Sequence, residues 1–336
     1  MGTRRKFLKS AAAAALVGGF PTIIPTARAA EPMTFMLPFG FNSMFIEIMN
    51  AYSGGHFARH GIDGKVLGAT GTAQAVQQVV AGQAQFVVCS GLDFVRAVGS
   101  RNAPLRAIAT IDQNAGFNLV SLKAKPIRKG EDLRGKTIGV VSQHGTTETC
   151  LDLLLALSHV PKSEVQVVVT RDTPGALEFI RQGRIDGFMT TYTVTLILLK
   201  QKAPIEYLLI DDFVPTPGEV YSTTTDIIAK RPQLPLAVLQ AIGDSVVEIM
   251  SHPLKPIFAR AAKDFDILGG RDLDGLASME QSMIQKMWLA DGKAELLHNV
   301  PRRWQTCVDS LHRLGFINST DPAPFYTNEF VDQLKL

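Results

Sequence analysis

The residues best suited to chemistry in this chain are small hydroxyl side chains and glycines, gathered in short loops. Ser142-Gln143-His144-Gly145-Thr146-Thr147 follows an apolar run and opens a helical pattern reaching about Ser158. In such a turn, backbone N–H groups and the positive end of the helix dipole favour a carboxylate, sulfonate or similar head group. Thr70-Gly71-Thr72-Ala73, Ser90-Gly91 and Thr190-Thr191-Tyr192 share this make-up, which lets main-chain donors approach an oxygen-rich guest closely. The alternative for Ser142 to Thr147 is that Thr146 caps its helix and binds nothing. Phe39 and Phe41 flank Gly40, with Asn42 beside them, and suit either an aromatic wall for a planar ligand or ordinary core. Tyr221 is placed either to hydrogen-bond a ligand or to pack. His144 either donates to an anion or stays in solvent, and Arg171 either clamps a charge or lies on the surface.

Nothing in the chain points to bond-making chemistry. It has no G-x-S-x-G elbow, no H-E-x-x-H, no P-loop and no G-x-G-x-x-G after a strand. Cys89, Cys150 and Cys307 stand too far apart in sequence for a zinc site or a disulfide framework, so one disulfide at most is open to them. The expectation is no catalytic residue, no metal and no cofactor.

The elements that must hold these loops alternate. Short runs rich in Val, Ile or Phe read as strands at Met33–Leu37, Lys65–Gly68, Gln85–Cys89, Leu105–Ile111, Thr137–Val141, Val165–Thr170, Ile185–Met189 and Ile205–Ile210. Helical patterns lie between them, the first from Ser43 to Arg59. This is the signature of β-α-β units around largely parallel sheets. From Pro232 onward the pattern is helical, as for a layer packed on the first lobe.

An offset of 101 residues aligns Gly82 with Gly183, Thr72 with Thr173, Ala75 with Ala176 and Val79 with Ile180. Each copy reads as a Thr-capped helix, a glycine stop and a strand, with Pro174 at the first helical position. Either any two β-α-β units look this alike, or two similar lobes each offer the same loop to a shared cleft. Gly116–Ser121 and Val220–Thr225 read as crossovers, giving lobe I from 31–115 plus 222–336 and lobe II from 117–216. A two-segment hinge of this kind lets lobes close on a ligand.

Arg4, Arg5, Lys6 and Lys9 precede an Ala-rich apolar stretch, and Ala27-Arg28-Ala29 is a small-x-small cleavage pattern. The paired arginines followed by Phe-Leu-Lys resemble a twin-arginine export signal, cut after Ala29, with a periplasmic destination. Gly18, Gly19 and Pro21 interrupt the stretch, which falls short of the roughly 20 residues a membrane span needs. Residues 1–29 hold five of the 34 basic side chains and no acid, leaving 29 against 31 acidic ones, a net charge of about −2. A polyanion partner such as nucleic acid is therefore not expected.

Three passages resemble one family. Gly55-His56-Phe57 with Gly61-Ile62-Asp63, then Asp132-Leu133-Arg134-Gly135-Lys136-Thr137-Ile138-Gly139-Val140, then Gly183-Arg184-Ile185-Asp186-Gly187, look like the nitrate/sulfonate/taurine and thiamine-pyrimidine-type substrate-binding proteins. That resemblance implies an α/β, type II periplasmic-binding-protein fold with two Rossmann-like lobes and a two-segment hinge. It further implies a monomeric receptor for a small molecule, with an ABC permease and ATPase as partners. An aromatic or heteroaromatic carboxylate or sulfonate is the first expectation for the ligand; a neutral pyrimidine or flavin-like vitamin precursor is the second. A sensor-coupled receptor would look the same. The fold also includes a thiamine-pyrimidine synthase with clustered cysteines, and this chain has no such cluster. The family position adds weight to ligand binding at Ser142, Gly145, Thr146 and Thr147.

Overall fold

The computed structural model of the protein describes residues 30–213 and 215–336. The export signal expected at 1–29 lies outside the described residues. The described residues hold ten strands: β1 (Glu31–Leu37), β2 (Ile62–Gly68), β3 (Phe86–Ser90), β4 (Leu105–Thr110), β5 (Phe117–Leu122), β6 (Thr137–Val140), β7 (Gln166–Val169), β8 (Gly187–Thr191), β9 (Ile205–Leu209) and β10 (Glu219–Thr224). They form two sheets of five, ordered β2-β1-β3-β10-β4 and β7-β6-β8-β5-β9. β3 and β8 are buried along their whole length, as strands covered on both faces must be.

The sheets repeat one plan. Three parallel strands lie side by side, and a strand from beyond the crossover pairs antiparallel next to them: β10 with β3 and β4, β5 with β8 and β9. A reciprocal clasp recurs at matched places. Gln85 donates its N–H to Thr34 O at 3.0 Å, and Thr34 N–H returns a bond to Gln85 Oε1 at 2.8 Å. In the second sheet Asp186 and Thr137 do the same, at 2.8 and 2.9 Å. Gly82 and Gly183 both sit in the left-handed region, at φ 73° and 69°, where a Cβ is disfavoured. The fold class expected from the alternation of elements is the one observed.

Helices α1 (Ile46–Ser53), α2 (His56–Arg59), α3 (Thr72–Val80) and α4 (Gly91–Arg101) accompany the first sheet, and α5 (Thr146–Leu157), α6 (Ala176–Arg181) and α7 (Tyr192–Lys200) the second. α8 (Thr225–Lys230), α9 (Gln233–Ser251), α10 (Leu254–Ala261), α11 (Leu273–Met283) and α12 (Pro301–Arg313) follow. α9 is long and apolar enough to cross a membrane, but Val238, Leu239, Ile242, Val246 and Ile249 are buried in the core beneath β1 and β3.

Three details differ from the sequence reading. The helix expected over 43–59 is broken at Gly54–Gly55, because Gly55 adopts φ 71° and ends one helical run before the next. α6 starts at Ala176 behind Gly175, so Pro174 precedes the helix; Thr173 Oγ1 instead accepts from Gly175 N at 3.3 Å. The passages read as crossovers are themselves largely strands, β5 and β10. The true connections are residues 111–116 and the segment between β9 and β10, which touch where Gly218 N–H donates to Asp112 O at 2.9 Å.

Candidate functional site

Loops leaving the carboxyl ends of parallel strands carry ligands in α/β folds, since strand ends point backbone donors and helix N-termini outward. Here those loops meet across a cleft of about 490 Å³. Phe39, Gly40, Ala69 and Thr70 line it from the first sheet, and Val141, Ser142, Gln143, Val169, Arg171 and Asp172 from the second. Ser142 Oγ is buried with no hydrogen-bond partner among the described residues. Arg171, held at φ 65°, is the one cation in this lining among the described residues. The Phe39 ring stands edge-on to Phe117 at 6.2 Å and lies 6.3 Å from Phe45, so one side of the cleft is aromatic.

The rims are joined by hydroxyl chemistry. Thr146 donates to Asp93 Oδ2 at 2.9 Å. Its single proton being used there, the 2.8 Å contact with Thr72 is a bond that Thr72 donates. Thr149 gives its proton to Asp93 Oδ1 at 2.6 Å and accepts from Arg96 at 2.6 Å. Asp93 thus anchors α4 to the first turn of α5. A second anchor is Asp172, which accepts from Asn42 Nδ2 (2.9 Å), Thr190 Oγ1 (2.7 Å), Thr191 N (3.1 Å) and Thr191 Oγ1 (2.9 Å). Burial pushes both carboxyls above the usual range, and these donors pull the other way. Between the anchors the approach is close: a Cβ on Gly71 would stand 2.3 Å from Ser142 Oγ and 2.6 Å from Ser142 Cβ.

Of the residues singled out from sequence, Phe39, Thr70 and Ser142 line the cleft and Gly71 abuts Ser142. Asn42, Thr72, Thr146 and Thr191 belong to the two anchors. The rest lie apart. Ser90 caps α4, accepting from Leu92 N at 3.2 Å. Thr147 accepts from Val141 N at 2.9 Å and so ties its own loop. Gly145 precedes α5 with no side-chain cap there, and Thr146 is the first helical residue. His144 is exposed at φ 57°, its N–H given to Glu148. Phe41 packs on Phe265 at 5.0 Å, and Tyr221 is wholly buried with its hydroxyl donated to Glu47 Oε1 at 2.8 Å.

Asp93 and Asp172 were not singled out from the sequence. Ser90-Gly91-Leu92-Asp93 has the spacing of a helix-capping box, which reads as local structure and hides a bond to a residue more than fifty positions away. Replacing Asp93 with alanine removes the acceptor of two buried threonine hydroxyls. The expected cost is about 1–3 kcal/mol, read as a lower melting midpoint, together with a larger radius of gyration in solution scattering.

A model of the family described as NMT1/THI5 like matches residues 42–255, well over half of the chain. The chain belongs to that family. A solved protein of Bordetella bronchiseptica RB50 superposes with TM-score 0.72 at 20% identity, covering 91% of this chain and 96% of that one. The periplasmic nitrate-binding protein NrtA of Synechocystis PCC 6803 superposes with TM-score 0.69 at 12% identity, covering 91% and 89%. In sequence, the chain is 22% identical over 312 residues to the 4-amino-5-hydroxymethyl-2-methylpyrimidine phosphate synthase of Schizosaccharomyces pombe, covering 89% of this chain and 86% of that protein. The fold is that of the periplasmic binding proteins.

This NMT1/THI5 like protein also carries buried carboxyls beside its crossovers. Glu47, Asp112, Glu219 and Glu280 are at most 2% exposed. Glu47 Oε2, both oxygens of Asp112 and Glu219, and Glu280 Oε1 have no hydrogen-bond partner among the described residues. Burial is the largest influence on each, lifting Glu47 and Asp112 to about 8 and the other two well above the usual range; nearby carboxylates add to it at Glu47, Glu219 and Glu280. At neutral pH these are neutral acids packed into the fold.

Proposed function

We propose that this protein is an exported, non-catalytic receptor that captures a small organic anion between its two lobes and delivers it to an ABC-type importer. One observation carries the reading: loops from two sheets of the same plan enclose a cleft and touch at its rim. Hinge closure of this kind buries a guest and presents both lobes to a permease and its ATPase. The likeness to a nitrate-binding periplasmic protein supports the reading. A periplasmic, monomeric protein cut after Ala29 is the form proposed to act.

Arg171 and the unpartnered Ser142 hydroxyl favour a carboxylate or sulfonate, and the Phe39 ring favours an aromatic or heteroaromatic body. Thr70 completes this binding set. A neutral pyrimidine or flavin-like precursor is the second reading, favoured by the likeness to a pyrimidine phosphate synthase. Catalysis of that kind is not proposed, because Cys89, Cys150 and Cys307 are separate buried thiols whose burial pushes them up, away from the reactive thiolate.

A melting screen against organic acids, sulfonates and vitamin precursors tests the proposal, since a ligand bound only by the folded state raises the midpoint by mass action. The expected result is a rise with an aromatic acid or sulfonate that Arg171→Glu reduces at least tenfold in affinity. A flat response to every compound, or turnover of one, overturns it.

A further inference from the structure

We infer that the groove between α3 and α4 is a second ligand site, taking a small organic acid with an apolar body, and that its occupant holds the lobes in the closed arrangement. The groove encloses about 280 Å³ and shares no lining residue with the cleft. Val76 and Val80 from α3, Ala97 from α4, Ala103 and Pro104 give it an apolar wall, with Gln77 and Asn102 among the polar residues beside it. Val80 is 43% exposed, so this apolar surface is open to a guest.

Charge decides the kind of guest. Arg96 is already committed, bonded to Thr149 and lying 5.1 Å above the Phe316 ring. Arg101 also borders the groove, and its exposed guanidinium has no hydrogen bond or ion pair among the described residues. The one acid in the lining, Asp93, is turned to Thr146 and Thr149. An apolar pocket with a free guanidinium at its border matches a carboxylate on a hydrocarbon body, not a cation or a sugar.

Closure follows from who lines the far end. His144 and Thr149 come from the second sheet's loop and helix, and the rest of the lining from the first. A guest touching both gains its full contact only when the lobes are together, so it must favour that state. By linkage it raises affinity in the cleft by the factor with which a cleft ligand raises its own. The coupling rests on the receptor reading above; the second site does not.

The test is calorimetric titration of octanoate into the full chain, alongside solution scattering. Saturable binding is expected, weakened tenfold or more by Arg101→Glu, abolished when Val76→Trp fills the groove, and unchanged by Arg171→Glu. A smaller radius of gyration is expected with octanoate bound. No saturable binding, or binding indifferent to Arg101→Glu, overturns the site; Arg101→Gln serves if the charge reversal prevents folding. Loss of binding in Arg171→Glu alone puts the acid in the cleft and removes the second site while leaving the receptor standing. Binding with an unchanged radius removes the closing role.

Discussion

Replacing Gly71 with alanine is expected to lower ligand affinity ten- to a hundredfold and to enlarge the radius of gyration of the unliganded protein. The backbone there is extended, at φ 168°, a conformation any residue adopts, so the glycine is needed for space and not for its torsion freedom. The obstacle is Ser142, whose Oγ and Cβ would lie within 2.6 Å of the new methyl. That contact joins a loop of the first sheet to a loop of the second. Overpacking of one methyl typically costs about 1–3 kcal/mol, or roughly one to two decades of binding when charged to the closed state alone. The check is calorimetry with whichever compound the melting screen identifies. Ser142→Gly in the same chain should restore closure in scattering, because it removes both clashing atoms. If the double variant stays open, the obstacle lies elsewhere.

Stability should fall as pH rises from about 5 to about 8.5, on the order of 10 °C in melting midpoint. Glu47 and Asp112 hold their protons to about 8 in the folded protein, against the ordinary carboxyl range in the unfolded chain. Between those values the native state binds more protons than the unfolded one, so raising pH favours unfolding; above about 8 the effect is complete. Glu219 and Glu280 act in the same direction. Glu248 acts oppositely. Though burial raises it, hydrogen bonds from Arg260, Asn50 and His56 bring it down to about 2, so its contribution is present above the ordinary carboxyl range and lost as pH falls toward 2. A mildly acidic optimum results. Melting curves across this range check it, and Glu47→Gln with Asp112→Asn should flatten the alkaline decline, since the Gln carbonyl still accepts from Tyr221. A decline as steep as in the parent would mean these acids are already ionised.

The strands were legible because each is a short apolar run between turn residues, and the glycine stops at 82 and 183 because their torsions exclude other side chains. The loops of the cleft were legible as strand ends. What each loop residue does was not. Phe39 and Phe41 sit in one loop, yet one ring lines the cleft and stands edge-on to buried Phe117 while the other packs on Phe265. Nothing local separates them; the partner 224 positions further on does. Glu47, Asp112 and Glu219 carry no local mark of burial in the sequence, yet the fold leaves each at most 2% exposed. Asp93 was hidden for the same reason, its partners being supplied by the other half of the chain.

The placing of β10 has a bearing on how the polypeptide is made. It sits between β3 and β4, so the first sheet lacks an interior strand until the ribosome has passed residue 224. By then all the strands of the second sheet have been synthesised. A nascent chain stopped at residue 115 would leave facing edges of β3 and β4 without a neighbour, a shape prone to sticking to other chains. The N-terminal half is therefore not a unit that can be translated, excised or transplanted alone, and maturation must wait for nearly two thirds of the polypeptide.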